Sequence, residues 1–236
     1  MPPFNDRRFR QVVYHAINQE EHLATVLRGP ALRQVCFAMF GCGTPYETDA
    51  GADALRANDI EAGRRLLREA GYDGQPIVML APSNHAQNYA WTLRTAESLR
   101  RVGFNVDVQG MALATFMQRR TIRRAATEGG WNVFVTTFAT VDVLNPLINP
   151  AVNASCTADN WPGWPCSEEI EALRIAFLAA PDDAERRRIA ERIQVAAYEH
   201  GTHISFGVFF KVDSWRNNLR GVQDASVGIM YGISKD

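Results

Sequence analysis

With 236 residues, 46% hydrophobic and 22% charged, the chain has the balance of an ordinary globular protein and enough length to bury a sizeable core. A net charge of −1 supplies no basic field to attract nucleic acid or anionic lipid, which argues against both as partners. No apolar run approaches the roughly 18–20 residues of a membrane span, and the opening MPPFNDRRFR lacks the apolar core of a signal peptide. The expectation is a soluble chain without an address label.

In chain order, FNDRRFRQVVYHAINQEEHLATVLRG predicts two helices. Phe9, Val12, Val13, Ala16 and Ile17 form a stripe of helical period, and Asn18 caps the next segment, which ends at Gly29. From Pro30 to Ala57, Gly, Pro, Thr and Asp crowd a stretch with no period. It predicts a long ordered loop, and one disulfide would explain how it holds together. NDIEAGRRLLREAGYDG is a helix with Asn58 or Asp59 as its cap and Gly71 as its stop. PIVMLAP is a buried strand.

SNHAQNYAWTLRTAESLRRVG is a long amphipathic helix with Tyr89, Leu93, Ala96, Leu99 and Val102 on one face, and FNVDVQGM is a half-buried alternating strand. Strand, helix and strand in that order predict a βαβ unit with parallel pairing. ALATFMQRRTIRRAA is a further helix, delivering the chain to the apolar strand WNVFVTTF. Beyond a proline-rich loop come the helices SEEIEALRIAFLAA and PDDAERRRIAERIQVAAYEHG, the second opened by a capping box of Asp182 and Glu185. A strand HISFGVFFKV follows, and the tail NLRGVQDASVGIMYGISKD alternates weakly. The order of elements defines a three-layer α/β arrangement.

Cys36 and Cys42 bracket CFAMFGC, and Cys156 and Cys166 bracket CTADNWPGWPC. Two close pairs fit two short-loop disulfides and an oxidising compartment; four buried free thiols are the alternative. Zinc fits neither the spacings nor the nearest histidines, and His200 and His203 in HGTH sit at a helix end where capping or surface roles prevail. There is no G-x-S-x-G elbow, G-x-G-x-x-G or P-loop and no H-E-x-x-H, so no motif argues for an enzyme or calls for a cofactor. The basic runs RRTIRR and ERRRIAER read as solvated helix faces rather than phosphate sites.

The opening FNDRRFRQVVYHAINQEEHLATVLRG, the helix NDIEAGRRLLREAGY, the unit LRTAESLRRVGFNVDVQ, WNVFVTTFATVDVLNP and PDDAERRRIAERIQVAAYEHGTHISF, in that order, resemble the family 5 extracellular solute-binding proteins. These are the peptide-, nickel- and glutathione-binding receptors of ABC importers. The resemblance spans nearly the whole chain. It implies one α/β domain over residues 1–236, a lobe of a type II periplasmic-binding-protein fold with a mixed sheet flanked by helices. That domain would be the second, C-terminal lobe of a two-lobed trap whose first lobe precedes Met1. It also implies a non-catalytic, periplasmic receptor, monomeric when whole, whose partners are an oligopeptide or other small solute and the subunits of a membrane permease. A second reading of the same fold is a ligand-sensing domain of a cytosolic transcription regulator, which free thiols and an upstream helix-turn-helix would favour.

In peptide-binding members an aspartate four residues before the proline of a D-x-x-x-P segment follows a core strand and pairs with the ligand's α-ammonium. Asp142 and Pro146 match that spacing. A carboxylate past the C-terminal end of a strand faces the crevice where α/β sheets bind ligands, and closure strengthens its ion pair by excluding water. The plainer alternative is a turn cap directed at Asn145. Phe138, Ala139 and Thr140 precede it as candidate contacts, Ala139 standing where the family often has tryptophan. Ser83 and Asn84, in APSNHAQ, stand where dipeptide-binding members carry an arginine and a tyrosine, and they offer polar contacts instead. Trp161 and Trp164 of NWPGWP read as packing for a small disulfide loop, with an aromatic ligand platform as the alternative.

Overall fold

Local signals set the first two helices. In a computed structural model, which describes residues 1–223, 225 and 228–236, α1 (Arg7–Ala16) buries the expected stripe. Asp6 caps it by accepting from the Arg8 amide at 2.8 Å. Asn18 caps α2 (Gln19–Val26) in the same way, accepting from the Glu21 amide at 3.0 Å. The next stretch is mostly irregular, as its composition predicts, with a 3₁₀ turn and β1 (Arg33–Gln34), but the loop expected to run to Ala57 ends sooner, at the short helix α3 (Asp53–Ala57).

That irregular stretch nonetheless fills core. Cys36, Ala38, Met39, Phe40 and Ala52 are buried, so backbone without a ladder must find partners elsewhere. Gln19 donates to the Cys36 carbonyl at 2.8 Å and accepts from the Cys36 amide at 2.8 Å. Gln194 accepts from the Met39 amide at 2.8 Å and donates to the Thr48 and Ala50 carbonyls at 2.7 and 3.0 Å. Asn149 donates to the Met39 carbonyl at 3.0 Å, and the Tyr198 hydroxyl to the Phe37 carbonyl at 2.7 Å. A disulfide joins Cys36 to Cys42. The cross-link expected from the sequence is therefore present, and buried amide side chains do much of the holding.

Asp59, not Asn58, caps α4 (Ile60–Glu69), accepting from the Ala62 amide at 2.9 Å. Asn58 ends α3 instead, in the left-handed region at φ 46°. Then come β2 (Ile77–Pro82), α5 (Ala86–Val102), β3 (Val106–Met111), α6 (Leu113–Arg119) and β4 (Val133–Phe134). The strands form one parallel sheet in the order β3-β2-β4, so the βαβ expectation holds. The expected mixed sheet does not, because among the described residues the antiparallel pairs of β1 with Val208–Phe209 and of Leu219–Arg220 with Ser234–Lys235 stand apart from it. Every residue of the central β2 is buried. Alternation along it divides the core: Ile77 and Met79 join the main cluster with Leu99 and Trp91, while Val78 and Leu80 meet Phe116 and Trp131 on the other face.

Other elements differ from expectation. On α5, Ala96, Leu99 and Val102 are buried as expected, but Leu93 is exposed at 43% and the buried face widens to Asn88, Trp91, Thr92, Thr95 and Ser98, because the helix lies in a groove between β2, α1, α2 and α4. Thr92 and Thr95 tolerate burial because their hydroxyls donate to the Asn88 and Trp91 carbonyls at 2.7 and 2.8 Å. The helix at α6 stops at Arg119, where the chain folds back and Trp131 donates to the Arg120 carbonyl at 3.1 Å. Finally, only Val133–Phe134 of WNVFVTTF forms strand; Asn132 meets Val78 by donating its main-chain amide to the Val78 carbonyl and accepting from the Val78 amide at its side chain, both at 2.9 Å, and the chain leaves the ladder after Phe134.

The remainder comprises the single-turn α7 (Thr140–Val143), α8 (Glu168–Ala179) and α9 (Asp183–His200), the last capped by Asp182 at 2.8 Å from the Glu185 amide. HISFGVFFKV contributes only β5 (Val208–Phe209), antiparallel to β1. Gly207 precedes it at φ 99°, where a Cβ would lie 2.6 Å from the Gln34 carbonyl oxygen, so the close approach of these two chains requires glycine. In the tail, β6 (Leu219–Arg220) pairs with β7 (Ser234–Lys235), and the part of the weak alternation at Asp224, Ser226 and Val227 lies outside the described residues. Among the described residues no helix is long and apolar enough to cross a membrane.

Two predictions follow from this packing. Gln194→Met keeps volume but strands the Met39 amide and two carbonyls, so urea denaturation should show a loss of about 2–4 kcal/mol. His22 is fully buried against Phe206, with Nδ1 2.8 Å from the Asn18 carbonyl oxygen, and burial pushes its pKa down to about 4. The unfolded chain, with an ordinary histidine value near 6.5, binds the proton first, so stability is lost as pH falls from about 6.5 toward 4. His203, also pushed down to about 4 by burial, acts in the same window, so His22→Phe should reduce rather than abolish the slope of the urea-midpoint profile there, and an unchanged slope would contradict the assignment.

Candidate ligand-binding cleft

Leaving the sheet after Phe134, the chain runs extended through residues 135–139 and then makes the single turn of α7. This run forms one wall of a cleft of about 2260 Å³, with Trp131, the Trp161–Cys166 loop and the segment from His200 to Arg216 forming others. Phe138, Ala139 and Thr140 lie on that wall. Asp142 follows on α7, exposed and outside the lining, its amide donating to the Ala139 carbonyl at 2.9 Å. Its carboxylate has no hydrogen-bond partner among the described residues. The turn toward Pro146 is capped instead by Asn145, which accepts from the Leu147 amide at 2.8 Å.

Both ends of the Asp142 segment are fastened from outside it. Asn149 donates to the Val143 carbonyl at 3.3 Å, and Arg174 of α8 donates to the Pro146 carbonyl at 3.0 Å while paired with Glu171. Pro146 itself is buried. A single-turn helix without a side-chain cap has little stability of its own, so these two anchors fix where Asp142 stands.

Ser83 and Asn84 occupy a different turn, past the C-terminal end of β2, and do not line the cleft. The Ser83 hydroxyl donates to the Met111 carbonyl at 3.1 Å, and Asn84 accepts from the Leu113 amide at 2.7 Å, supplying the cap that α6 lacks in its own sequence. The structure thus gathers Phe138 to Asp142 into one segment and commits the polar atoms of Ser83 and Asn84 to the β3–α6 connection. Because β2 and β4 are adjacent and parallel, both groups follow the same edge of the sheet.

An aromatic seam, not assembled by the sequence reading, joins the cleft wall to the disulfide loop. Trp161 packs on Phe138 at 5.2 Å between ring centroids, Trp164 on Trp131 at 5.7 Å, and Trp131 edge-on to Phe134 at 4.9 Å. The two loop tryptophans do pack, as expected, but against the wall beside the sheet. The Cys156–Cys166 disulfide closes their loop, and Asn160 braces it by donating to the Asn153 and Pro165 carbonyls at 2.7 and 3.1 Å. His200 ends α9, its carbonyl accepting from Arg10 at 2.7 Å, and His203 Nδ1 lies 3.1 Å from the Thr202 hydroxyl.

A three-layer α/β body whose parallel sheet opens at its C-terminal edge onto a cleft has the form of a lobe of the type II periplasmic binding proteins. Residues 1–159 match the model of the bacterial extracellular solute-binding proteins, family 5, middle region, and the chain belongs to that family. It is 27% identical over 99% of its length to a Sinorhizobium fredii protein named "Probable peptide ABC transporter periplasmic-binding protein", of which it covers 44%. Among solved structures, it superposes over its full length on a dipeptide-binding protein from Pseudoalteromonas sp. SM9913 in complex with Met-Leu (TM-score 0.73, 20% identity, 46% of that chain). It does so equally on an ABC transporter-associated periplasmic binding protein from Helicobacter pylori in complex with the peptide STSA (TM-score 0.73, 16% identity, 45% of that chain). These likenesses show the fold, and the chain spans less than half the length of each relative.

The disulfide loop yields a test of its own. With both cysteine pairs oxidised, thiol titration in denaturant should read zero before reduction and four after. Replacing Cys156 and Cys166 by serine should lower the unfolding free energy by about 2–3 kcal/mol, measured by denaturant titration.

Proposed function

We propose that this chain is the second lobe of the substrate-binding component of an ABC importer, which captures a peptide or similar solute by closing two lobes on it and hands it to a membrane permease. The reading is non-catalytic: binding, desolvation and release do the work. The observation that carries it is Asp142, an exposed carboxylate without a partner among the described residues, held by Asn149 and Arg174 beside Phe138–Thr140 on the cleft wall. A carboxylate left open at a rim is suited to a cationic group, and excluding water on closure would strengthen that pair. Two disulfides suit a periplasmic location. The relatives named for peptide or dipeptide binding point to the same ligand class.

The exposed apolar side chains of the C-terminal segment, Val212 at 73% and Tyr231 at 87% among them, fit a surface that meets the other lobe. A lobe alone supplies part of the burial that makes such sites tight, so its own affinity should be weak.

The test is a thermal-shift screen of the two-lobed protein against di- to octapeptides, glutathione, nickel chelates and sugars, with Asp142→Ala in parallel. Peptides at a hundredfold excess over Kd should stabilise by about 2.7 kcal/mol, a shift of several degrees, and the variant should lose most of it. Stabilisation by uncharged solutes alone, unaltered in the variant, would overturn the role given to Asp142.

A further inference from the structure

Arg120 and Arg123, from the run RRTIRR, lie at the end of α6 and in the turn after it. The Arg120 guanidinium carbon sits 4.9 Å from the centre of the Trp161 ring, and that of Arg123 5.5 Å from the centre of the Trp164 ring. Each indole is braced in turn: Trp161 packs on Phe138, and Trp164 on Trp131. The two cations are therefore fixed, through their aromatic partners, to the same wall that carries Phe138, Ala139 and Thr140.

Stacking a guanidinium on an indole face occupies its flat surface and leaves its N–H edges free, the edges that bind a carboxylate with two parallel hydrogen bonds. Neither arginine has a carboxylate within 4.0 Å among the described residues. Arg120 Nε is buried and has no hydrogen-bond partner there. The contrast is Arg56, also laid over a ring, that of Phe37, but with its charge answered by Asp49 at 2.5 Å. A partly buried cation with an unfilled donor is costly until an anion arrives. The cleft lining repeats the bias, with Arg10, Arg123, Lys211 and Arg216 against Asp213 among its described residues.

We infer that Arg123, which lines the cleft, forms a carboxylate-binding subsite on the Trp164 face, with Arg120 on Trp161 adding positive charge beside it from outside the lining. This rests on the solute-binding reading and refines it. Asp142 would meet a ligand's cationic group and Arg123 its carboxylate, so the favoured ligand is a zwitterion.

The test is a tryptophan-fluorescence titration of the 236-residue chain with N-acetyl-L-phenylalanine and with its C-terminal amide, two probes that share a ring and differ in charge. The acid should bind with a Kd on the order of 1 mM, the amide about tenfold or more weakly. Arg123→Gln, at an exposed position, should weaken the acid about tenfold and leave the amide unchanged; Arg123→Lys should recover part of the loss. Equal affinity for acid and amide, an Arg123→Gln variant that binds as tightly as the parent, or no response to the acid would each overturn the subsite. The same pair of probes separates it from the broader reading. A two-lobed protein that no peptide stabilises, in a chain that still discriminates acid from amide, counts against peptide capture alone.

Discussion

The structure depends on a small set of buried carboxamides that complete hydrogen bonds for backbone without a ladder. Between β1 and α3 the chain is irregular, yet it packs Met39 and Phe40 into the main core at 4% and 0% exposure. Main-chain amides and carbonyls taken out of water without partners would cost more than such side chains return. Gln19, Gln194 and Asn149 are themselves 4%, 0% and 1% exposed, and each joins this loop to a different element. Gln19 lies at the start of α2, Gln194 on α9, and Asn149 just past the turn that carries Asp142. One network thus fixes a loop, a helix pair and the rim of the cleft.

Mobility and rigidity are divided accordingly. The parallel sheet, α5 and the helices around it form a closed body, while the groups proposed to meet ligand stand on short pieces with little stability of their own: a four-residue helix and a disulfide-closed loop. Each piece is pinned by long side chains arriving from rigid helices, Arg174 from α8 and the arginines at the end of α6. Sites built this way tolerate changes of ligand chemistry, because the contacts sit on loops and the geometry belongs to the scaffold.

Much of the scaffold was legible in the sequence because its signals are local. Asn18, Asp182 with Glu185, and the stripe from Phe9 to Ile17 act within a turn or two of the chain, and the parallel pairing follows from strand–helix–strand order. Errors arose where tertiary partners override local pattern. Leu93 keeps helical period yet faces solvent, because hydroxyls bonded to their own helix let Thr92 and Thr95 take the buried side. WNVFVTTF has the composition of a long strand, but Asn132 and the departure after Phe134 leave two residues paired. At the proposed site, Asp142 and Phe138–Thr140 are nominated by one short motif of the resemblance, and the structure places Phe138–Thr140 on the cleft wall and Asp142 just outside its lining. The arginine–indole stacks are not nominated, because RRTIRR and NWPGWP lie some forty residues apart and neither run names the other.

Met39 is gripped at both of its main-chain polar groups, by Gln194 at the amide and Asn149 at the carbonyl. Neither bond involves its side chain. Mutational drift in the loop is therefore filtered only for size and hydrophobicity at such positions, while the demand for a specific residue type falls on glutamine and asparagine more than a hundred positions downstream. The shape of the loop at Met39 is thus recorded in two amides that, on their own helix and turn, look like incidental polar residues.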